Sequence, residues 1–223
     1  MHIAALFTHD ARGRLVRVNE PRGGPAPRVF LGRTRRAREW RVRDDIDASL
    51  AAELAALASA DVPDIDDLEP ARDITPFEAM LSRSTPVLKV WTGPAFHAGP
   101  EIRPLPGAVA ITPDNVELLR AHLPSWIDSA PNEEPMFVAT VGGDAVAVCS
   151  TVWRTPAAYE AGVETVPDFR GRGYGSVVVA AWADAVRRSG VVPLYSTSWQ
   201  NMASRALARR LGLTLFGADL HLT

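Results

Sequence analysis

Cysteine and long apolar runs are almost absent from this sequence. Cys149 is the single cysteine among 223 residues, so an intrachain disulfide framework is excluded. A chain without disulfides suits a reducing compartment, and we expect a cytoplasmic protein. No apolar run has the length that spans a bilayer, and the N-terminal residues become polar too soon for a signal peptide. These absences predict that a membrane is not a partner.

Lysine is equally scarce. Lys89 is the one lysine, and arginine supplies the other side chains in the count of 24 Lys and Arg residues. With 26 Asp and Glu residues the formal net charge is −2, which gives no electrostatic case for nucleic acid as a partner. The His, Cys and acidic residues do not fall at spacings typical of metal sites. We therefore expect neither nucleic acid nor a metal.

What the sequence does contain is ordinary for a globular protein: 47% hydrophobic and 22% charged residues. Its length allows one domain with a smaller second one. Composition shifts at Asp61–Pro76, which is rich in proline and acidic residues and reads as a linker or extended arm. We predict a small α+β N-terminal region at 1–60, an arm with a short strand at 61–104, and a larger domain at 105–223.

The N-terminal half shows short alternating segments separated by turn signals such as Asp10-Ala11-Arg12-Gly13 and Arg22-Gly23-Gly24-Pro25. The arginine-rich block 33–38 is interpreted as a solvated surface, because aspartates follow it. No residue in this half carries a recognisable chemistry. The predicted helix is Asp47–Ala58, and the predicted strands are Ile3–Phe7, Leu15–Asn19, Arg28–Leu31, Glu39–Val42 and Val87–Trp91.

The C-terminal half shows longer and more regular elements. Gly142-Gly143-Asp144 is a strong hairpin signal, and Thr112 followed by Pro113 predicts the start of a helix. A helix at Asn201–Leu211 is predicted to turn Ala203, Ala206, Leu207 and Leu211 inward. The predicted strands are Ala108–Ile111, Phe137–Val141, Ala145–Val152, Ala158–Val166, Val192–Ser198 and one or two within Leu213–Leu222.

A glycine-rich turn between a strand and a helix is the most informative stretch. Gly171, Gly173 and Gly175 lack Cβ atoms, so the backbone can curl and approach a ligand closely. The helix that follows, through Arg188, begins with N–H groups that have no intrahelical partner, and its dipole favours an anion there. Arg170 and Arg172 add positive charge. The turn therefore predicts a phosphate-binding site.

The spacing of this turn separates several phosphate-binding families. It is not the G-x-G-x-x-G of dinucleotide-binding folds, and the Gly-Lys-Ser/Thr of the P-loop is absent. Arg170-x-x-Gly173-x-Gly175, after a strand that ends in Val-Pro, resembles the acyl-CoA pyrophosphate loop of the GNAT superfamily of CoA-dependent N-acyltransferases. The order of elements over 105–223 fits the same superfamily. The resemblance implies a mixed, splayed α/β sheet flanked by helices, preceded by a small α+β N-terminal region.

The resemblance also implies where acyl-CoA, most simply acetyl-CoA, would lie. It places the pantetheine arm between the strand before the loop and the next strand, where it would contact Thr165 and Val166. Asn201 would contact the pantetheine too, with Ser204 one turn further on, although Asn201 could instead be a helix cap. The pyrophosphate would be bound by Arg170, Gly171, Arg172, Gly173, Tyr174, Gly175 and Ser176.

N-acyl transfer needs a base that takes a proton from the amine, and hydrogen bonds for the thioester oxyanion. Glu160 and Glu164 are the candidate bases. They lie four residues apart on one strand and so share a face. The alternative is that they belong to an ordinary exposed strand face. Cys149, in an apolar run, is expected to be buried and inert.

The proton donor for the departing thiolate is the weak point of the resemblance. The superfamily often has a tyrosine just after the leucine of the asparagine helix, and here that position is Ala208. Tyr195 is the substitute that we select, with Ser196 and Tyr174 as further candidates. The short stretch after Leu213 also leaves little room for the usual last strands, so the N-terminal segment or a partner chain would complete the sheet.

These observations predict an N-acyltransferase that moves an acetyl or other acyl group from acyl-CoA to an amine by direct attack in a ternary complex. The acceptor, a small-molecule amine or a peptide or protein amine, stays open, as does a homodimer. The alternative from another class is a non-catalytic acyl-CoA sensor or interaction module. Ala208 and the uncharacterised N-terminal half favour that alternative.

Overall fold

The structure, a computed structural model, describes residues 2–20, 23–35, 37–60 and 74–223. Residues 61–73 of the predicted arm, together with Arg22 and Arg36 of the predicted turn and arginine block, lie outside this range. The described residues divide into two compact units. The N-terminal unit contains residues 2–96, 196–202 and 215–223, and the C-terminal unit contains 97–195 and 203–214.

The helices and strands are numbered here in chain order. They are α1 (His2–Leu6), β1 (Phe7–His9), β2 (Leu15–Val18), β3 (Val29–Thr34), β4 (Arg38–Val42), α2 (Ala48–Ala60), α3 (Thr75–Ser82), β5 (Val90–His97), β6 (Ala108–Ala110), β7 (Phe137–Val141), β8 (Asp144–Arg154), β9 (Ala158–Thr165), α4 (Tyr174–Arg188), β10 (Val192–Ser196), α5 (Met202–Leu211) and β11 (Thr214–Leu222). Short 3₁₀ turns occur at Val116–Leu119, Pro124–Trp126 and Pro167–Phe169.

The N-terminal unit is completed by β11, which comes from the other end of the sequence. Its strands follow the order β4–β3–β11–β5, and β1 pairs separately with β2. β11 runs antiparallel to β3, with Leu222 opposite Val29 and Gly217 opposite Thr34. The sequence left two partners open for the strands after Leu213, the N-terminal segment or another chain. In the structure, β11 pairs with the N-terminal segment.

Helix α2 forms the core of this unit with α3 and one face of the sheet. The carboxylate of Asp47 accepts the Leu50 N–H at 2.9 Å, which satisfies a donor in the first turn of α2. Because apolar residues on one side of a helix recur every three to four positions, α2 buries a continuous stripe. The buried cluster comprises Leu50, Leu54, Ala58, Phe77, Leu81, Val29, Leu31, Leu220 and Leu222.

The C-terminal unit is a sheet in the order β10–β9–β8–β7–β6, covered on both faces. Only the β10–β9 pair is parallel; the other neighbours are antiparallel. Helix α4 packs against β8, where the Trp182 indole donates to the Thr151 hydroxyl at 3.0 Å. The segment that holds the first two 3₁₀ turns contributes Leu119 and Leu123 to a second cluster with Val138 and Val148.

Two local predictions are wrong. Residues 2–6 form a helix where a strand at Ile3–Phe7 was expected, because Ile3, Ala5 and Leu6 are all buried and the run therefore lacks the alternation of a half-buried strand. No α-helix follows Thr112. There the Asn115 side chain accepts the Thr112 N–H and donates to the Ala110 carbonyl, so side-chain bonds replace helical ones.

The predicted hairpin is confirmed, whereas the predicted inward face of α5 is not. Gly142 and Gly143 have φ of 63° and 99°, as a two-residue turn between β7 and β8 requires. In α5, Ala203 and Ala206 are exposed, whereas Ala208 is buried. An alanine face buries little apolar area, so spacing alone distinguishes the possible faces weakly.

None of the helices in the described ranges has both the length and the apolar character needed to cross a bilayer.

Candidate active site

The central feature of the C-terminal unit is a fork between the parallel strands β9 and β10. Their register pairs Ala158 with Val192 and continues to Glu160 with Leu194, where it ends. Beyond Glu160, β9 remains paired with β8 as far as Thr165, opposite Ala147. One edge of β9 is therefore held by β8 while β10 diverges from the other edge. Such an edge offers backbone N–H and C=O groups to an extended ligand.

The glycine loop lies at the open end of this fork, between β9 and α4. Gly171 and Gly173 have φ of 76° and 90°, in the left-handed region that favours glycine. Gly173 directly precedes α4, whose first N–H groups lack intrahelical acceptors. A Cβ on Gly175 would lie 2.9 Å from a Leu207 methyl and 3.3 Å from the Thr165 hydroxyl. Gly175 is thus required by packing, a role that the sequence did not indicate.

The two loop arginines do not play equal parts. Arg170 Nε donates to the Thr165 carbonyl at 3.0 Å, which fixes the loop against the end of β9. The Arg172 guanidinium lies over the Phe169 ring, 5.4 Å from its centroid. Sequence reasoning missed Arg210, whose guanidinium nitrogens lie 3.6 Å from the place where a Gly173 Cβ would be. Arg210 shares a helix face with Leu207, three residues earlier, but the sequence does not show that this face meets the glycine loop.

Two ionisable residues occupy the closed end of the fork. Glu160 ends the paired part of β9 and is 1% exposed, and Tyr195, which follows Leu194, is 4% exposed. Burial, opposed by a hydrogen bond with Ser204, raises the pKa of Tyr195 to about 12. Tyr195 therefore keeps its proton at neutral pH and has a proton to donate.

A hydrogen bond between Tyr195 and Ser204 links β10 to α5. Ser204 and Ala208 are one turn apart on α5 and thus share a face, and Ala208 is fully buried. The bond therefore lies on α5 one turn before the position where the resemblance expects a tyrosine.

The second candidate base, Glu164, has a different environment. Its carboxylate is exposed and accepts a hydrogen bond from the Trp126 indole at 2.6 Å. A bulge in β8 between Thr151 and Trp153 lies opposite Glu160 and Ala161. The two glutamates lie on the same strand, but one is buried at the fork and the other is exposed beside an indole.

Comparison with known proteins supports what the geometry indicates. Residues 139–220 match the family model described as FR47-like protein. A putative acetyltransferase of the GNAT family from Novosphingobium aromaticivorans is 21% identical, with a TM-score of 0.52 over 61% of this chain and 65% of that one. This likeness, with the splayed strands and the loop, establishes the fold. The fold is that of the GNAT acetyltransferases.

Two further solved structures have lower TM-scores. A GCN5-related N-acetyltransferase-like protein from Streptococcus suis is 19% identical, with a TM-score of 0.46 over 60% of this chain and 62% of that one. A putative acetyltransferase from Salmonella typhimurium, solved with acetyl-CoA, is 16% identical, with a TM-score of 0.42 over 52% and 93%. The chain spans less than two thirds of the length of the N. aromaticivorans and S. suis proteins. No curated protein sequence matches it.

The remaining predicted site residues take varied positions. Thr165 and Val166 are half-buried at the end of β9, and the Val166 N–H donates to Val146 O at 3.0 Å. Ser176 is buried in the first turn of α4, and the half-buried Tyr174 stacks edge-on against Phe169. Asn201 is exposed and directly precedes α5, and it belongs to the N-terminal unit.

Two other kinds of chemistry find no support at this site. Cys149 is fully buried, and burial raises the pKa of its thiol well above the ordinary value, so it is not a thiolate at neutral pH. Within the described ranges, no three His, Cys, Asp or Glu side chains are grouped so as to hold a metal ion. The candidate site is therefore the fork with its loop.

Proposed function

We propose that this protein is an N-acyltransferase that moves an acyl group, most simply acetyl, from acyl-CoA to an amine by direct attack in a ternary complex. The observation that carries the proposal is the fork, with a glycine loop at its open end and a buried carboxylate and phenol at its closed end. Acyl-CoA has matching chemistry, since a pyrophosphate and a thioester are joined by an extended arm.

The loop suits the pyrophosphate. Gly171 and Gly173 allow the backbone to curl, and the N–H groups that begin α4 can donate to phosphate oxygens. Arg172 and the newly identified Arg210 provide positive charge near Gly173. The pantetheine arm would follow the free edge of β9 at Thr165 and Val166, and Asn201 is proposed as a further contact.

Glu160 is our proposed base and Tyr195 our proposed acid. The nitrogen of the acceptor attacks the thioester carbonyl carbon, so that a C–N bond forms and the C–S bond breaks. Glu160 accepts the proton that the amine loses, and Tyr195 donates a proton to the departing sulfur. Backbone N–H groups along the free edge of β9 can stabilise the developing oxyanion.

A non-catalytic acyl-CoA sensor is the second candidate, and Ala208 is the observation that favours it. A sensor would bind acyl-CoA and release free CoA no faster when any amine is present. The buried Glu160 and Tyr195 at the closed end of the fork argue for the enzyme, because they can serve as base and acid. The acceptor, small molecule or peptide, the cytoplasmic location and a homodimer remain predictions.

Calorimetric titration with acetyl-CoA, free CoA and ATP tests the binding part of the proposal. We expect saturable binding of both CoA forms and none of ATP, because the loop lacks the P-loop lysine. A thiol-release assay with an amine panel then separates enzyme from sensor. Absence of binding for both CoA forms would rule out both candidates.

A further inference from the structure

The pair formed by Trp126 and Glu164 is not explained by acyl-CoA binding. The Trp126 Nε1–H donates to Glu164 Oε2 at 2.6 Å. Glu164 is exposed and Trp126 is half-buried. An ionised carboxylate can accept about four hydrogen bonds, so one indole N–H leaves capacity for another donor. The pair thus presents an accessible negative charge with an aromatic ring beside it.

The strand register places this pair on the sheet face opposite α4. Thr151 bonds to Trp182 of α4 and pairs with Ala161, so Gly162 and Glu164 on β9 point to the other side. A Cβ on Gly162 would lie 3.2 Å from Trp126 Cη2. The absence of a side chain at Gly162 therefore lets the indole lie close to the strand, with its N–H end at Glu164.

A second carboxylate lies on the same face. Ser150 pairs with Gly162 across β8 and β9, and residues directly opposite each other project to the same side. The Ser150 hydroxyl bonds to the Glu133 carboxylate at 3.1 Å and to the Glu133 carbonyl at 2.7 Å. Glu133 is half-buried. Two carboxylates thus lie on the face of Trp126. Glu164 accepts from the indole N–H, and Glu133 is bonded to Ser150 on the neighbouring strand β8.

A carboxylate beside an indole is suited to a cation, because ion pairing and the negative face of the ring act together. The reacting amine itself must be neutral when it attacks, and the proposed base for it is Glu160. Glu164 lies four residues further along β9, a separation of about 13 Å between Cα positions at 3.3 Å per residue. A group bound at Glu164 is therefore separate from the reacting nitrogen.

We propose that Trp126, Glu164 and Glu133 form an acceptor subsite that binds a cationic group held about 13 Å from the reacting amine, the spacing of Glu160 and Glu164 along β9. The inference rests on the proposed function, since it assigns the substrate class of the same site. The acceptor is then an amine that carries a second group, protonated at neutral pH. The subsite orients it over the face of β9 opposite α4 and leaves the first nitrogen at the fork.

The test is calorimetric titration of the full chain, without acyl-CoA, with α,ω-diamines of increasing length and the monoamine of matching length for each. We expect the diamines to bind about tenfold more tightly than the monoamines once their nitrogens span about 13 Å. Glu164→Gln should remove this preference, and Trp126→Phe should weaken it. Glu117→Gln, which removes the same charge from an exposed site in this unit, should retain it.

Equal binding of diamines and monoamines, or a preference that survives Glu164→Gln, would overturn the subsite. The result is separate from the proposed function because the titration uses no acyl-CoA. If acetyl-CoA fails to bind while the diamine preference holds and depends on Glu164, the acyltransferase proposal fails and the subsite stands. If acetyl-CoA binds and monoamines and diamines react alike, the subsite fails and the acyltransferase stands.

Discussion

Both units bury ionisable side chains, but only one of them places these beside an open strand edge. In the C-terminal unit, Glu160 and Tyr195 lie where β10 leaves β9. In the N-terminal unit, His2 Nδ1 lies 2.9 Å from Asp219 Oδ2, and Asp219 and His221 lie on β11, which is fully paired with β3 from Val29 to Thr34.

The surroundings of His221 show what the second arrangement is for. Its ring lies 4.6 Å from the Trp91 ring, 5.1 Å from Phe30 and 5.5 Å from Phe7, centroid to centroid. Burial lowers the pKa of His221 to about 4. A buried ionisable group therefore indicates a reaction site only when a ligand can reach it. We interpret the histidine–aspartate cluster as structural.

Replacing the proposed base should give the largest effect. Glu160→Gln preserves shape and removes the proton acceptor, so we expect kcat to fall by about 10²–10⁴-fold with little change in the dissociation constant for acetyl-CoA. Thiol release and calorimetry measure the two quantities. Asp219→Asn is the matched control in the other unit, and its kcat per folded molecule should be unchanged. A normal kcat for Glu160→Gln would show that another group is the base.

Breaking the N-terminal pair should affect stability instead. Asp219→Asn puts an amide where the buried His2 has a carboxylate, and an unsatisfied buried polar group costs about 1–3 kcal/mol. Denaturant titration measures the free energy of unfolding. Asp184→Asn, which removes a more exposed partner of Arg187 and Arg188, should cost less than about 1 kcal/mol. Equal losses for the two variants would contradict a structural role specific to Asp219.

The pH dependence of stability should reveal His221. In the folded state the pKa of His221 is about 4, below the ordinary 6.5. Between these pH values the unfolded state binds a proton that the folded state does not bind. Stability should therefore fall by about 1.4 kcal/mol per pH unit from 6.5 towards 4, about 3 kcal/mol in all. His221→Phe should flatten this slope in denaturant titrations at several pH values. A slope that His221→Phe leaves intact would assign it to other groups.

A substitution in the glycine loop should have a small effect on stability. Gly173→Ala forces a Cβ into a backbone with φ of 90°, at a cost of about 1–2 kcal/mol, and we expect acetyl-CoA affinity to fall because the loop relaxes. Gly190→Ala meets the same strain at φ 80°, with no atom within 4 Å of the new Cβ. It should lose similar stability and keep full affinity. Equal affinity losses would remove the loop from the binding site.

Local signals were enough to predict part of this fold. The Gly142-Gly143 hairpin and the strand–glycine loop–helix unit are encoded by neighbouring residues, because positive φ and helix starts depend on short-range geometry. The helix expected after Thr112 failed for an equally local reason, since the Asn115 side chain competes for the same backbone groups.

The composition of the site could be predicted only in part. Gly171 and Gly173 stood out by spacing, whereas the Tyr195–Ser204 bond joins a strand to a later helix. Trp126 and Arg210 were missed because their neighbours, Glu164 and Gly173, are distant in sequence and meet them only through packing. The spacing of residues in the sequence indicates which of them share a face, but only the tertiary structure shows what packs against that face.

The pairing of β11 with β3 also has a consequence for how the protein is made. During synthesis β3 emerges early, whereas its partner emerges after nearly all of the described chain. Until then one edge of β3 has no β11 beside it, and an unpaired strand edge invites association with other chains. Contacts of such large sequence separation also form slowly. The N-terminal unit can therefore complete its sheet only after β11 has been synthesised.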